Sequence, residues 1–179
     1  MEHSAQELKQ EGLRLFEEGL YDEAGETFAQ AREMFATAGE ESEAAEMVNN
    51  LGVIYRLQGK WDEAITSLED ARAIFARTGD REREAQALGN LGGLYSSKGE
   101  RGKAKECLRQ AADIFAELGD EQHQGETLLA LGVQEWKTGD RSAGLAVYEA
   151  GLQTLKKPTV SQRTLRTMLK LRTRLLGGK

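Results

Sequence analysis

Two asparagines and one arginine have types and spacing that suit the binding of another protein chain. Asn50 and Asn90 lie forty residues apart in two copies of one sequence pattern, and Arg56 follows the first of them. An asparagine amide offers two donors and an acceptor, so it can pair with the backbone of an extended peptide. A guanidinium can form two parallel hydrogen bonds to a carboxylate. The alternatives are a hydrogen bond from each asparagine to a neighbouring helix, and an ion pair between Arg56 and a neighbouring glutamate.

No residues with the spacing of a catalytic or metal site are present. His3 and His123 are far apart, and His123 has only Glu121 and Glu126 nearby, fewer convergent ligands than a metal site needs. No Ser-His-Asp or Cys-His set can be placed on a shared site, and no glycine-rich phosphate loop follows a strand. Cys107 is the only cysteine and is expected to be a small buried hydrophobic residue. We predict a non-enzymatic protein without cofactor, metal or small-molecule substrate.

The candidate binding residues are positioned by a pattern that recurs every forty residues. The segment 50–75 returns at 90–115, a looser copy lies at 12–35, and a further copy lies at 131–155. Self-similarity at a fixed period of this length is typical of proteins built from stacked repeats.

Each repeat is predicted to be a pair of antiparallel helices. Val48, Leu51 and Tyr55 are spaced three and four residues apart, which places them on one helical face. Gly59 is expected to end this helix, because glycine adopts the left-handed conformation of a helix C-cap without strain. The same spacing in a second helix is given by Ala64, Leu68, Ala71 and Phe75.

Glycines recur at one position in the first helix of every repeat: Gly12, Gly52, Gly92 and Gly132. A glycine inside a helix costs about 1 kcal/mol relative to alanine. Their recurrence indicates that two helix backbones must approach closely at this position.

This pattern resembles the tetratricopeptide repeat (TPR). The forty-residue period and the Asn-Leu-Gly and Gly-Asp signatures are similar to those of a subtype found in kinesin light chains, in scaffolds that bind GoLoco-bearing partners and in bacterial scaffolds. The resemblance implies an all-α, right-handed α-solenoid of four helical hairpins plus a C-terminal capping helix. The expected boundaries are a frayed terminus at 1–5, repeats at about 6–40, 41–80, 81–120 and 121–158, and a basic capping helix and tail at 159–179.

The first helices of such hairpins line the concave side of the solenoid, which defines a candidate peptide groove. Its residues are Lys9, Leu13, Asn49, Asn50, Val53, Arg56, Gln86, Asn90, Ser97, Glu126, Leu129, Val133 and Lys137. The resemblance implies that an asparagine at the position of Asn50 and Asn90 contacts peptide backbone. It also argues against binding of chaperone C-terminal carboxylates, because Leu13 replaces an asparagine of that clamp and Gln86 and Asn90 replace its two basic residues.

The fourth repeat departs from the pattern of the second and third. Glu135 stands where they carry Tyr55 and Tyr95, and Gly144 and Gly151 stand where they carry alanine. We expect the fourth hairpin to pack more loosely than the others.

The C-terminal segment is expected to form a capping helix with a basic face. Its shared apolar face, Leu165, Met168, Leu169 and Leu176, would cover the fourth repeat. The basic face consists of Arg163, Arg166, Lys170 and Arg174.

Charge is distributed unevenly along the sequence. Eight of the 24 basic residues lie from residue 156 onward, and that segment has no acidic residue. The rest of the chain therefore has 16 basic and 30 acidic residues, a net charge of −14. The basic face is expected to be a solvated face of the cap, the alternative being a docking site for nucleic acid, anionic lipid or an acidic partner. Because the acidic remainder repels phosphate, we expect neither nucleic-acid nor membrane binding.

These observations predict a scaffold that captures a peptide or helix of a protein partner in the groove. Two alternatives are a structural module that assembles into homo-oligomers through the solenoid ends, and attachment to an anionic surface through the basic helix. The polar start of the chain and the lack of roughly 18 consecutive apolar residues lead us to expect a cytoplasmic protein.

Overall fold

The computed structural model describes residues 4–176, which contain nine α-helices and no strand; side chains are described up to residue 169 and at residue 171. The helices are α1 (Ala5–Glu17), α2 (Tyr21–Thr37), α3 (Glu41–Leu57), α4 (Trp61–Thr78), α5 (Arg81–Lys98), α6 (Arg101–Leu118), α7 (Glu121–Lys137), α8 (Arg141–Thr154) and α9 (Val160–Leu176). The predicted all-α class of TPR-like hairpins is confirmed.

The helices α1 to α7 end where the sequence places glycine, whereas α8 ends at Thr154 without one. Gly59 has φ +74°, its N–H donates to the carbonyl of Arg56 at 3.1 Å, and the N–H of Lys60 donates to the carbonyl of Tyr55 at 2.9 Å. These bonds satisfy carbonyls at the end of α3 that have no partner within the helix. The predicted C-terminal end of this helix is confirmed.

The chain forms two compact units, Met1–Leu94 and Tyr95–Lys179. In the first unit, α2 and α3 share a core in which Phe28, Phe35, Met47 and Ile54 are at most 3% exposed. A Cβ added to Gly12 would lie 2.6 Å from the Phe28 ring. Gly12 thus leaves room for the Phe28 ring where α1 packs on α2, although the recurrence predicted a contact between two helix backbones.

In the second unit, α7 and α8 approach each other backbone to backbone. A Cβ on Gly132 would lie 2.7 Å from the Tyr148 nitrogen, and one on Gly144 would lie 2.6 Å from the Trp136 nitrogen. Real Cβ atoms essentially never come this close to backbone atoms. The expectation that the fourth hairpin packs more loosely is therefore wrong, because the glycines that replace alanine let its two helices pack more tightly.

The carboxylate of Glu135 is buried at the position where two earlier repeats carry tyrosine. Its side chain is 11% exposed and accepts hydrogen bonds from Lys105 and Arg109 of α6, each at 3.0 Å. An ion pair between α6 and α7 thus replaces the aromatic contact.

The last helix, α9, covers α8 only in part. Leu169 is half-buried and Leu165 is 37% exposed, but Met168 is 62% exposed. The expectation that Met168 covers the fourth repeat is therefore wrong, since its side chain projects away from that repeat into solvent. The side chain of Leu176 lies outside the described residues.

Candidate binding surface

The first unit brings the central candidates together on one surface formed by α1, α3 and α5, here called the first-helix face. The Asn90 amide of α5 donates to the Asn49 carbonyl oxygen of α3 at 3.2 Å. The Asn49 amide in turn lies 3.5 Å from the Asn50 carbonyl oxygen. One of the two asparagines that the sequence singles out, Asn90, is thus engaged by the neighbouring helix.

Two donors on this face have no hydrogen-bond partner among the residues that the structure describes. They are Nδ2 of Asn50 and Nε of Arg56, and both atoms are buried although their side chains are only half-buried. Arg56 extends toward α5, where a Cβ added to Gly93 would lie 3.4 Å from its Nη1. Within the described part of the chain, no carboxylate lies within ion-pair distance of this guanidinium. Arg56 and Asn50 therefore have unused donor capacity on the same face.

An ion network occupies the end of the face nearest to the N-termini of these helices. The Lys9 ammonium is 2.9 Å from Glu43 and 2.7 Å from Glu46. Arg83 contacts the same two carboxylates at 2.7 and 2.6 Å, and Asp80 at 3.1 Å. Lys9 itself is only 9% exposed. This predicted groove cation is therefore already neutralised by residues of α3.

The pKa shifts in this network follow from its pairing. Burial by itself would lower the pKa of Lys9, but the hydrogen bonds to Glu46 and Glu43 outweigh it and the pKa is raised. Burial would raise the pKa of Glu43, and Lys9 and Arg83 instead hold it below the ordinary value of 4.5. Burial would also raise the pKa of Asp80, but the interactions with Ser42 and Arg83 outweigh it and the pKa is lowered. The network is stable in its fully charged form.

The remaining candidates of the first unit are less suited to specific polar contacts. Leu13 and Val53 are half-buried, and Leu13 packs against the core between α2 and α3. Gln86 is exposed, and its amide donates to Glu82 at 3.3 Å. Leu13 and Val53 can offer only apolar contact to a ligand on this face.

The other five candidates belong to the second unit. Leu129 is half-buried, and Ser97, Glu126, Val133 and Lys137 are exposed. The Glu126 carboxylate accepts a hydrogen bond from Gln122. Of these five side chains, Leu129 and Val133 are the apolar ones.

One polar residue of the second unit was missed by the sequence reading. Gln134 is 5% exposed, donates to the Ser96 hydroxyl at 2.7 Å, and has a buried Oε1 with no partner among the described residues. The repeat register could have identified Gln134, because it stands forty residues after Leu94. Leu94 is fully buried. A polar residue at a repeated core position indicates a specific polar contact.

The basic face of α9 is used in part for contacts within the chain. Arg166 donates to the carbonyl of Leu155 at 3.0 Å, and Arg163 donates to the carbonyl of Pro158 at 3.2 Å. Both hold the connection between α8 and α9. The side chains of Lys170 and Arg174 lie outside the described residues.

Two classes of site are not found in the part of the chain that the structure describes. No cluster of three or more His, Cys, Asp or Glu side chains could hold a metal ion there. In the same residues, none of the helices has the length and apolar character needed to cross a membrane.

Comparison with known proteins shows likeness to repeat proteins. The sequence model of the tetratricopeptide repeat matches residues 43–117, and no curated protein matches the chain. BtubC (BKLC) from P. vanneervenii is 23% identical, with a TM-score of 0.76 over 84% of this chain and 62% of that one. This chain therefore spans less than two thirds of BtubC.

Two further solved structures have the same kind of fold. MamA is 21% identical, with a TM-score of 0.65 over 84% of this chain and 77% of its own. The TPR-like repeats of a kinesin-light-chain-like protein from Podosopora anserina are 21% identical, with a TM-score of 0.74 over 100% of this chain and 90% of that one. At these identities the likeness shows the fold alone.

Proposed function

Since the chain is a tetratricopeptide repeat protein, we propose that it is an interaction scaffold that captures a peptide segment of a partner on the first-helix face. Tetratricopeptide repeats generally mediate protein–protein interactions, and scaffolds built from them are typically non-enzymatic. The proposal that the partner binds to this particular face depends on which polar groups of the face lack a hydrogen-bond partner.

The observation that carries the proposal is the pair of unused donors at Asn50 and Arg56. A buried donor without an acceptor costs about 1–3 kcal/mol, so such groups are rare and call for an explanation. A peptide carbonyl can accept from the Asn50 amide, and a carboxylate can accept from the Arg56 guanidinium. Because both side chains are only half-buried, a ligand lying on the face needs only small side-chain rotations to reach them.

Charge on the face favours an acidic group beside Arg56. Lys9 and Arg83 already contact Glu43, Glu46 and Asp80, so they add no free positive charge. A ligand carboxylate is therefore attracted to Arg56 rather than to the end of the face where Lys9 lies. The ligand that fits is an extended segment with an acidic side chain or C-terminal carboxylate at one point.

The test is affinity capture from lysate of the native host with mass spectrometry of the retained proteins. The wild type is compared with Asn50→Ala/Arg56→Ala, and with Arg32→Ala as the matched control, since Arg32 is a partly exposed arginine of α2. We expect a partner that the wild type and Arg32→Ala retain and the double variant loses, with unchanged helical content by circular dichroism. Retention of every partner by a folded double variant would show that the first-helix face is not the binding site.

A further inference from the structure

An apolar groove opens in the second unit between α7, α8 and α9. Its volume is about 310 Å³. The apolar side chains that line it come in pairs from the three helices: Val133 and Trp136, Leu145 and Tyr148, Leu165 and Leu169. Three of these side chains remain open to solvent, with Val133 38%, Trp136 49% and Leu165 37% exposed.

The groove exists because α7 and α8 pack tightly while α9 does not close over them. Gly132 and Gly144 lie at the floor, where the two backbones meet. Contiguous apolar surface of this kind is typical of an interaction site.

The surroundings of the groove are positively charged. Lys137 lines it, and the Arg141 guanidinium lies 5.7 Å from the centre of the Trp136 ring. From residue 156 onward the chain has eight basic and no acidic residues. Among the acids of α7 and α8, Glu135 is paired with Lys105 and Arg109, whereas Asp140 caps α8 through the Ala143 N–H and keeps its charge. This excess of positive charge repels a second copy of α9 and attracts an acidic ligand.

The lining also decides the conformation of the ligand. Apart from Lys137, the hydroxyl of Tyr148 and the indole N–H of Trp136, the side chains that line the groove offer no hydrogen-bonding group. An extended peptide would bury its backbone amides here without partners, which is costly. A helix satisfies its own backbone and presents one apolar face to a groove.

We propose that this groove binds an acidic amphipathic helix of a partner protein. The helix inserts large apolar side chains at i, i+3 or i+4, and i+7 between α7, α8 and α9. Its Asp and Glu residues lie toward Lys137 and Arg141. This site lies in the second unit, and its lining shares no residue with the first-helix face.

The test is selection from a display library of helix-forming peptides of about 16 residues, randomised at apolar and charged positions, against the full chain. We expect enrichment of peptides that combine a large apolar face with net negative charge. Binding of a selected synthetic peptide is then measured by Trp136 fluorescence in a Trp61→Phe background, which leaves Trp136 as the single tryptophan. Burial of Trp136 should shift its emission to shorter wavelength.

Matched variants locate the site. Val133→Asp and Leu165→Asp should each weaken binding of the selected peptide at least about tenfold. Leu118→Asp is the control, because Leu118 of α6 is 47% exposed and does not line the groove, and it should leave the affinity unchanged. Raising the salt concentration from about 50 to about 500 mM should weaken binding several-fold.

Four results would overturn the proposal. They are the absence of any enriched peptide, enrichment of basic or uncharged peptides, equal affinity of Val133→Asp and the wild type, and groove-dependent binding to vesicles of phosphatidylcholine and phosphatidylserine instead of to peptides. None of these results bears on Asn50 and Arg56, so the two proposals fail independently.

Discussion

At the scale of single residues, charge pairing decides which side chains are available to a ligand. Lys9 is in register with the groove, yet Glu43 and Glu46 hold its ammonium. Glu135 occupies an aromatic position, yet Lys105 and Arg109 neutralise it. Arg56, in contrast, has an unused donor. Residue type and register alone do not distinguish these cases.

The pairing of Glu135 predicts a loss of stability in Glu135→Ala. Removing the buried carboxylate leaves Lys105 and Arg109 without their shared acceptor, so we expect the free energy of unfolding to fall by about 1–3 kcal/mol. Urea denaturation followed by circular dichroism measures the change. Asp113→Ala on the exposed side of α6 is the control and should change stability by less than about 0.5 kcal/mol. Equal stability of the two variants would contradict a structural role for the Glu135 ion pairs.

The ion network of the first unit predicts acid sensitivity. The pKa values of Glu43 and Asp80 are lowered in the folded chain from ordinary values of 4.5 and 3.8. Each carboxylate therefore stabilises the fold above its ordinary pKa, and this contribution is lost as pH falls through the lower folded pKa. We expect the melting temperature to fall between about pH 5 and pH 3, and to fall less steeply in Arg83→Ala. If the melting temperatures of the wild type and Arg83→Ala fell equally with pH, the role given to the ion network would be contradicted.

At the scale of helices, glycine determines how closely two elements pack. Gly12 and Gly52 face the side chains of Phe28 and Leu68, whereas Gly132 and Gly144 face backbone atoms of the opposite helix. A side chain can rotate away from an added methyl group, but a helix backbone can move only as a whole. The α7–α8 hairpin therefore tolerates added volume less well than the α1–α2 and α3–α4 hairpins do.

This difference predicts opposite effects for two Gly→Ala changes. In Gly144→Ala the added Cβ would lie 2.6 Å from the Trp136 nitrogen, so we expect destabilisation by about 1–3 kcal/mol or more. At Gly89, inside α5, an added Cβ meets nothing within 4 Å among the described residues, so Gly89→Ala should stabilise by about 0.5–1 kcal/mol. Thermal and urea unfolding of both variants measure this. Stabilisation by Gly144→Ala would show that α7 and α8 can separate without cost.

At the scale of the whole molecule, opposite charges lie in different parts of one chain. The net charge is −6, with eight basic residues from residue 156 onward and a charge of −14 on the rest. Opposite charges on separate segments favour contacts between copies when screening is weak.

We therefore predict weak self-association at low ionic strength. Light scattering over a concentration series should show a mass above the 19.8 kDa of one chain at about 10 mM salt and the monomer mass at about 150 mM. Lys156→Glu/Lys157→Glu, which changes two exposed residues of the tail, should remain a monomer at both. A monomer of the wild type at low salt would contradict the prediction, and an oligomer that resists salt would indicate apolar assembly instead.

The period, the helices and their ends were determined by sequence alone, because they depend on local properties. Val48, Leu51 and Tyr55 define a helical face through their spacing, and Gly59 ends the helix through its own φ of +74°. The repeated glycines likewise indicated a close approach of two helix backbones, which is found at Gly132, whereas Gly12 and Gly52 meet side chains of the facing helix.

Only the tertiary structure decided which candidate residues remain available. Lys9 meets Glu43 and Glu46 across 34 and 37 residues, and Arg166 binds the carbonyl of Leu155 across 11. Such pairs depend on rotamers and on the approach of separate helices, which periodicity does not encode. The groove between α7, α8 and α9 arises in the same way, because it is set by how far α9 stands from α8.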